Sequence, residues 1–178
     1  MLGKPWFSRL LRSPDHSTPP DLQQAADEAG LDAQNNLGAL LSNSDLQGEA
    51  AISYRKAAEK GHPMAQSNLG LMYTTGDGVG RDDSQARHWF GRAAAQGHPT
   101  AQFHMGNRWH RDSLALAGPE AREARIEAFK WFQLADAQGY PNADASRERV
   151  NIGMSSEEVA EGHRRIGAFV ATAELTEA

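Results

Sequence analysis

Seven histidines, a Ser-x-x-Lys pair and a glycine-rich turn are the parts of this sequence whose residue types could do chemistry. Histidines ligate metals when they share one face, as at a spacing of i and i+4. His104 and His110 are six apart and fall on different faces of a helix. No His-Glu-x-x-His occurs, and His62 and His98 recur in equivalent Gly-His-Pro settings, which suits a structural turn better than a ligand. Ser53 and Lys56 have the spacing of the serine–lysine pair of penicillin-recognising enzymes but lack its companion motifs. His110-Arg111-Asp112 matches the kinase catalytic loop in letters only, since no strand or glycine-rich loop accompanies it. Gly76-Asp77-Gly78-Val79-Gly80 follows a helical pattern and lacks the Lys-Ser/Thr ending of a phosphate loop. One carboxylate, Asp77, is too few for calcium. With no cysteine, thiolate metal sites, disulfides and a cysteine nucleophile are excluded. The expectation is a chain that is not an enzyme, with no catalytic residue, no metal and no cofactor.

The elements around these residues are helices. The length, 178 residues, suits one domain. Leu, Ile, Val and Phe make 29 of the 178 residues, below the roughly 20% at which disorder becomes a concern. The net charge of −5 is too small to complete that criterion. Abundant alanine points to closely packed helices, and the scarcity of strand formers excludes a β-sandwich or barrel. An acidic balance argues against nucleic acid as a partner, because phosphate binding needs a basic stripe. No apolar run approaches the roughly 20 residues of a membrane span. Lys4, Arg9 and Arg12 break the N-terminal apolar stretch, so it does not read as a signal peptide, and a cytoplasmic location is expected.

Internal repeats fix the order of these helices. Ala33-Gln34-Asn35-Asn36-Leu37-Gly38 returns as Ala65-Gln66-Ser67-Asn68-Leu69-Gly70 and as Ala101-Gln102-Phe103-His104-Met105-Gly106, at offsets of 32 and 36 residues. Gly61-His62-Pro63 returns at Gly97-His98-Pro99 and Gly139-Tyr140-Pro141. Ala86-Arg87-His88-Trp89-Phe90 returns at Ala128-Phe129-Lys130-Trp131-Phe132. Each unit reads as two antiparallel helices. Helix A opens at a proline, tolerated in the first turn because its missing N–H has no partner there. Ala65, Leu69 and Met72 form its buried stripe. Helix B opens at Asp82 or Asp83, buries Ala86, Phe90, Ala93 and Ala94, and ends at Gly97 in a left-handed conformation. Gly70 and Gly106 lie inside helix A at a cost of about 1 kcal/mol each relative to alanine, which predicts a close approach of two backbones. The aromatic residues Trp89, Phe90, Trp131 and Phe132 are expected in the core.

Residues Ala65, Leu69, Gly70, Tyr73, Gly76, Gly78, Val79, Asp82, Ala86, Trp89, Ala93, Ala94, Gln96 and Gly97 resemble the Sel1-like repeat family, relatives of the tetratricopeptide repeat. The resemblance covers roughly residues 24 to 150. It implies an all-α fold, a right-handed α-solenoid of helix pairs with a C-terminal capping helix, from a bacterial source. It also implies a role in holding protein complexes together. The domain reading is an amphipathic peptide and Pro/Ser linker at 1–20, and three repeats within 21–141 at about 24–60, 61–96 and 97–138. Capping helices follow at 142–173, with a tail at 174–178.

Repeat one lacks the glycine loop, so its helix A must be short or its turn tight. Repeat three is longer, with the extra residues in Arg111–Pro119, read as an insertion that either lines a partner face or varies freely. Pro119 is placed in the first turn of an extended helix B running through Gln138. Ala143 opens a further helix, and Ser155-Ser156-Glu157-Glu158 reads as a capping box opening the last one. That last helix carries Val159, Ile166, Phe169 and Val170 inward.

Partner-binding residues are expected on the row of helix A beside its buried stripe, which by resemblance faces the concave groove. In repeat two this row is Ser67, Leu71 and Thr74, and in repeat three Phe103, Asn107 and His110. Phe103 either stands exposed in the groove or packs under the Arg111–Pro119 stretch. A second surface is the N-terminal stripe Trp6, Phe7, Leu10 and Leu11, flanked by Lys4, Arg9 and Arg12. It docks on the repeats, serves as a tag for another protein, or, least favoured, lies on a membrane surface. The functional reading is a non-enzymatic adaptor or scaffold for a protein partner, with no nucleic acid. The rival readings are a dedicated neutralising or chaperone partner of a toxin or effector, and an enzyme. Three repeats stand near the minimum for a stable array, so oligomerisation stays open.

Overall fold

The computed structural model describes residues 20–43 and 46–177, and among them all regular structure is helical. The helices are α1 (Pro20–Ala29), α2 (Leu31–Ser42), α3 (Gln47–Glu59), α4 (Pro63–Thr75), α5 (Asp83–Ala95), α6 (Pro99–Ala115), α7 (Gly118–Ala137), α8 (Ala143–Asn151) and α9 (Ser156–Glu177). They group into two compact units, with the boundary inside α5 between Trp89 and Phe90.

The repeat blocks correspond to recurring turns. At the end of each helix B a glycine with positive φ (Gly61, Gly97, Gly139) lets the next residue donate back across the turn. His62 N–H reaches Ala57 O at 3.1 Å, His98 N–H reaches Ala93 O at 3.0 Å, and Tyr140 N–H reaches Ala135 O at 3.0 Å. Each bond satisfies a helix-end carbonyl that has no partner within its own helix. The Ala-Gln pairs of the second and third repeats complete the turn. Gln66 Nε2 donates to Ala58 O at 3.0 Å and Gln102 Nε2 to Ala94 O at 3.4 Å, both side chains buried.

In the first unit α4 opens on His62, whose Nδ1 accepts from Ala65 N–H at 3.1 Å. An accepting Nδ1 places the neutral ring's proton on Nε2, which meets Asp32 Oδ1 at 2.9 Å. This histidine is a helix cap. His62→Ala is expected to cost about 1 kcal/mol, in line with other N-cap losses, and to lower the thermal midpoint by roughly 2–4 °C. His62→Asn, which keeps an acceptor at that point, should recover most of it. A calorimetric scan of both variants measures the difference. At α5 the capping residue is Asp82: its Oδ1 accepts from Ser84 N–H at 2.8 Å and Gln85 N–H at 3.0 Å. Helix α2 has 12 residues and α4 has 13, so repeat one is shortened in its connection and not in its helix.

Gly38 and Gly106 of helix A meet rings, and at Gly106 the expectation is corrected. A Cβ on Gly106 would lie 2.6 Å from the Phe132 ring, and one on Gly38 would lie 2.7 Å from the Tyr54 ring. The close approach is therefore of backbone to the aromatic of helix B, not of backbone to backbone. The Arg111–Pro119 reading is corrected as well. α6 runs to Ala115 and α7 starts at Gly118, leaving Leu116 and Ala117 as the connection. Arg-Asp-Ser-Leu-Ala has no breaker before Gly118, so the extra residues lengthen both helices instead of forming a loop.

The second unit is closed by α8 and α9. Ser155 N–H donates to Glu158 Oε2 at 2.6 Å, and Glu158 N–H donates to Ser155 Oγ at 3.3 Å, a reciprocal capping box. Arg125 donates to the other oxygen of Glu158 at 2.7 Å. Burial raises the Glu158 pKa, but the Ser155 N–H and Arg125 outweigh it and hold the carboxyl below its ordinary range. Val159 and Ile166 pack on the cluster of Ala128, Phe129, Phe132 and Val150, and Phe169 lies edge-on to Trp131 at 5.5 Å. Val170, one turn past Ile166, is 41% exposed and takes no part in that packing, contrary to the inward reading.

Candidate interaction surface

The residues expected to line a groove fall in both units. In the first, Leu71 is 43% exposed and Thr74 is half-buried, its Oγ1 donating to Gly70 O at 3.0 Å. Ser67 is corrected: at 2% exposure it is closed off from any partner. Helix α4 has a neighbour on each side. Gln66 reaches the end of α3, and Asn68 Nδ2 donates to Asn35 Oδ1 of α2 at 3.3 Å. Its buried surface is wider than the Ala65, Leu69 and Met72 stripe and takes in Ser67. The open row is Met64, 49% exposed, then Asn68 and Leu71. The sequence reading missed Met64, although its spacing of seven from Leu71 places the two on one face. Asn35 Nδ2 donates to the Met64 sulfur at 3.4 Å, which fixes the near end of that row.

In the second unit Phe103 is half-buried. Its ring centroid lies 4.7 Å from that of Tyr140 and 5.5 Å from that of Phe132. It packs at the edge of the core and does not stand free in a groove. His104 stacks on Phe90 at 4.4 Å, and burial holds its imidazole pKa below the ordinary value. Asn107 and His110 are half-buried on the same side of α6. Burial, then the charge of Arg149 on α8, lowers the His110 pKa. Trp6, Phe7, Leu10 and Leu11 lie outside the described residues.

The apparent chemical motifs find structural employment. Ser53 is fully buried, and Lys56 is held by Asp27 at 2.9 Å, so the pair has neither access nor a free amine. Asp112 of His110-Arg111-Asp112 pairs with Arg108 at 3.3 Å. Among the described residues no three His, Asp or Glu side chains converge as a metal would require. A cleft of about 440 Å³ opens between α7 and α9, lined by Arg122, Glu123, Glu157, Glu161, Arg164 and Arg165 among others. Its charges answer one another: Arg122 pairs with Glu157 at 3.1 Å, Arg164 with Glu161, and Arg165 with Glu123 and Glu127. Among the described residues no helix is long and apolar enough to cross a membrane.

Comparison with known proteins agrees with the repeat geometry. No curated protein matches the chain. Among solved structures, the chain is similar to c5321, a protective antigen of uropathogenic Escherichia coli displaying an SLR fold, at 22% identity and a TM-score of 0.72. That match covers 93% of this chain and only 36% of the antigen, so the chain spans about a third of its length. A Sel1 repeat protein from Oxalobacter formigenes is similar at 34% identity and a TM-score of 0.59, over 72% of this chain and 96% of that one. The Sel1 repeat itself matches three times, at residues 31–62, 63–98 and 99–140. With those three matches falling on the helix pairs α2–α3, α4–α5 and α6–α7, the chain belongs to the Sel1 repeat family, an all-α fold of the α-solenoid class.

Proposed function

We propose that the chain is a non-enzymatic adaptor or scaffold whose helix-A faces receive a protein partner in a bacterial cytoplasm. The observation that carries this reading is the pair Met64 and Leu71, two large apolar side chains left about half exposed on the open side of α4. Exposed apolar patches commonly mark interaction sites. The row is held in place by the Asn35–Asn68 contact, so it is formed before a partner arrives. The Sel1 repeat family commonly supplies protein–protein interaction modules, which supports the same reading. Leu71 and Thr74 in repeat two, and Asn107 and His110 in repeat three, are the residues assigned to recognition. The helices within 142–173 serve in this reading as a closing cap.

Affinity purification from the source organism, with the wild type beside Leu71→Asp and Asn107→Asp, tests it. One stoichiometric protein partner, retained by the wild type and weakened at least about tenfold by either variant, is expected: a buried charge at an interface costs well over 1.4 kcal/mol, the equivalent of a factor of ten. Absence of a specific protein from the wild-type lane overturns the adaptor reading.

A further inference from the structure

We propose that the N-terminal segment Lys4–Arg12 docks in cis along the Met64–Asn68–Leu71 row of α4, so that the chain carries an internal occupant for its own interaction face.

Three observations meet at this row. The first is its apolar content. Met64 and Leu71 lie seven residues apart on one face, about 10 Å at the helical rise of 1.5 Å per residue. The segment presents Trp6, Phe7, Leu10 and Leu11, which on a helix form one stripe of two i, i+4 pairs. Laid along α4, that stripe covers both exposed side chains.

The second is charge. Within residues 20–43 and 46–89, nine Asp and Glu face five Lys and Arg, whereas residues 1–13 hold Lys4, Arg9 and Arg12 and no acid. The acids also stand in the right places. Asp32, whose side chain is 92% exposed, sits beside the His62 cap at one end of α4. Asp77 is exposed just past Gly76 at the other end. The segment is basic at both ends, Lys4 before the apolar stripe and Arg12 after it.

The third is reach. The described chain begins at Pro20, and α1 packs on α2. α2 in turn meets α4 where Asn35 touches Asn68 and Met64, so the row lies about two helix spacings off, roughly 20 Å at 8–10 Å per neighbouring pair. Seven residues, Ser13–Pro19, two of them proline, can cover about the same distance at the roughly 3.1 Å per residue of a polyproline-type chain. The tether is long enough to place the stripe on α4 and short enough to keep it at high effective concentration there.

A tail held on this row must be displaced before a partner can use it; that regulatory consequence rests on the interaction reading above, and the docking itself does not. The test uses the full chain. Because the chain has no cysteine, Ser8→Cys carries a single nitroxide spin label. Amide signals from Met64 to Leu71 are expected to lose more than half their intensity and to regain it in Leu71→Asp or Trp6→Asp. Trp6→Asp leaves the sequence of α4 unaltered, so it tests the contact even where Leu71→Asp disturbs that helix. Undiminished α4 signals, broadening that survives both substitutions, or broadening seen only between labelled and unlabelled chains in a mixture would each overturn the proposal. No partner is present in this measurement, so its failure leaves the adaptor reading standing, and an absent partner in the purification leaves the docking standing.

Discussion

Phe132→Ala is expected to remove about 3–5 kcal/mol of folding free energy, the range found when a buried phenylalanine is truncated. The ring is 1% exposed and lies in the cluster of Ala128, Phe129 and Val150. Phe103 tilts against one side, 5.5 Å between centroids, and the backbone of α6 presses another at Gly106. The wall at Gly106 is helical main chain and cannot collapse into the space left behind, which places the loss toward the upper part of the range. Urea unfolding followed by circular dichroism reads it as a lower midpoint at unchanged slope. Gly106→Ala supplies the second corner of a cycle. Alanine gains up to about 1 kcal/mol of helix propensity, but its methyl would stand 2.6 Å from the ring. Overpacking of that kind costs about 1–3 kcal/mol, so the substitution destabilises the wild type. In a Phe132→Leu background the ring is gone and the same substitution becomes neutral or stabilising. A sign change of this kind is a coupling between neighbours. Gly106→Ala stabilising the wild type would refute the contact.

That contact shows where sequence reading succeeds and where it stops. The repeat period, the proline starts and the glycine ends were legible because each is a local property of the backbone. The cost of glycine inside α6 was legible too, but what it makes room for was not. A glycine recurring in a helix announces a close neighbour without saying whether that neighbour is a backbone or a ring. The groove row takes in a buried residue, Ser67, for a related reason. Periodicity within α4 gives the direction of its strongest neighbour, α3. It is silent about the other elements that meet the helix, among them α2 through the Asn35–Asn68 contact. Exposure on a repeat helix is set by two neighbours, and a single-helix pattern reports one. The buried glutamines were visible as repeats at Gln66 and Gln102, yet their work is to satisfy a carbonyl at the end of the preceding helix, eight residues back. The Arg111–Pro119 stretch shows that extra length need not be extra loop. Its composition of Ala, Leu and Arg already favoured helix up to Gly118.

The glycine turn between α4 and α5 offers the second large effect, in a graded form. Gly78 has φ +70, and a Cβ there would lie 2.1 Å from the Gln47 carbonyl oxygen and 2.7 Å from Gly48 N. These are main-chain atoms at the start of α3, so no rotamer change relieves the overlap. Gly76 has φ +89, but its nearest neighbour to a new Cβ is 3.6 Å away. Gly80 has neither a positive φ nor an atom within 4 Å. Alanine at position 76 therefore bears only the left-handed backbone cost, about 1–2 kcal/mol. Alanine at 78 bears that cost plus a collision worth about 1–3 kcal/mol, for a combined loss of about 2–5 kcal/mol. Alanine at 80 restricts the unfolded chain without straining the folded one and is expected to be neutral or to gain about 0.4–1 kcal/mol. Urea midpoints of the three variants should thus fall in the order Gly80, Gly76, Gly78. The gap between the last two isolates the seating of the loop on α3, because both residues have positive φ and only one touches Gln47. If Gly78→Ala and Gly76→Ala unfold at the same midpoint, the loop is not seated there. If the gap is present, the turn that the sequence offers as a phosphate loop is a clamp that fixes one helix pair on the one before it.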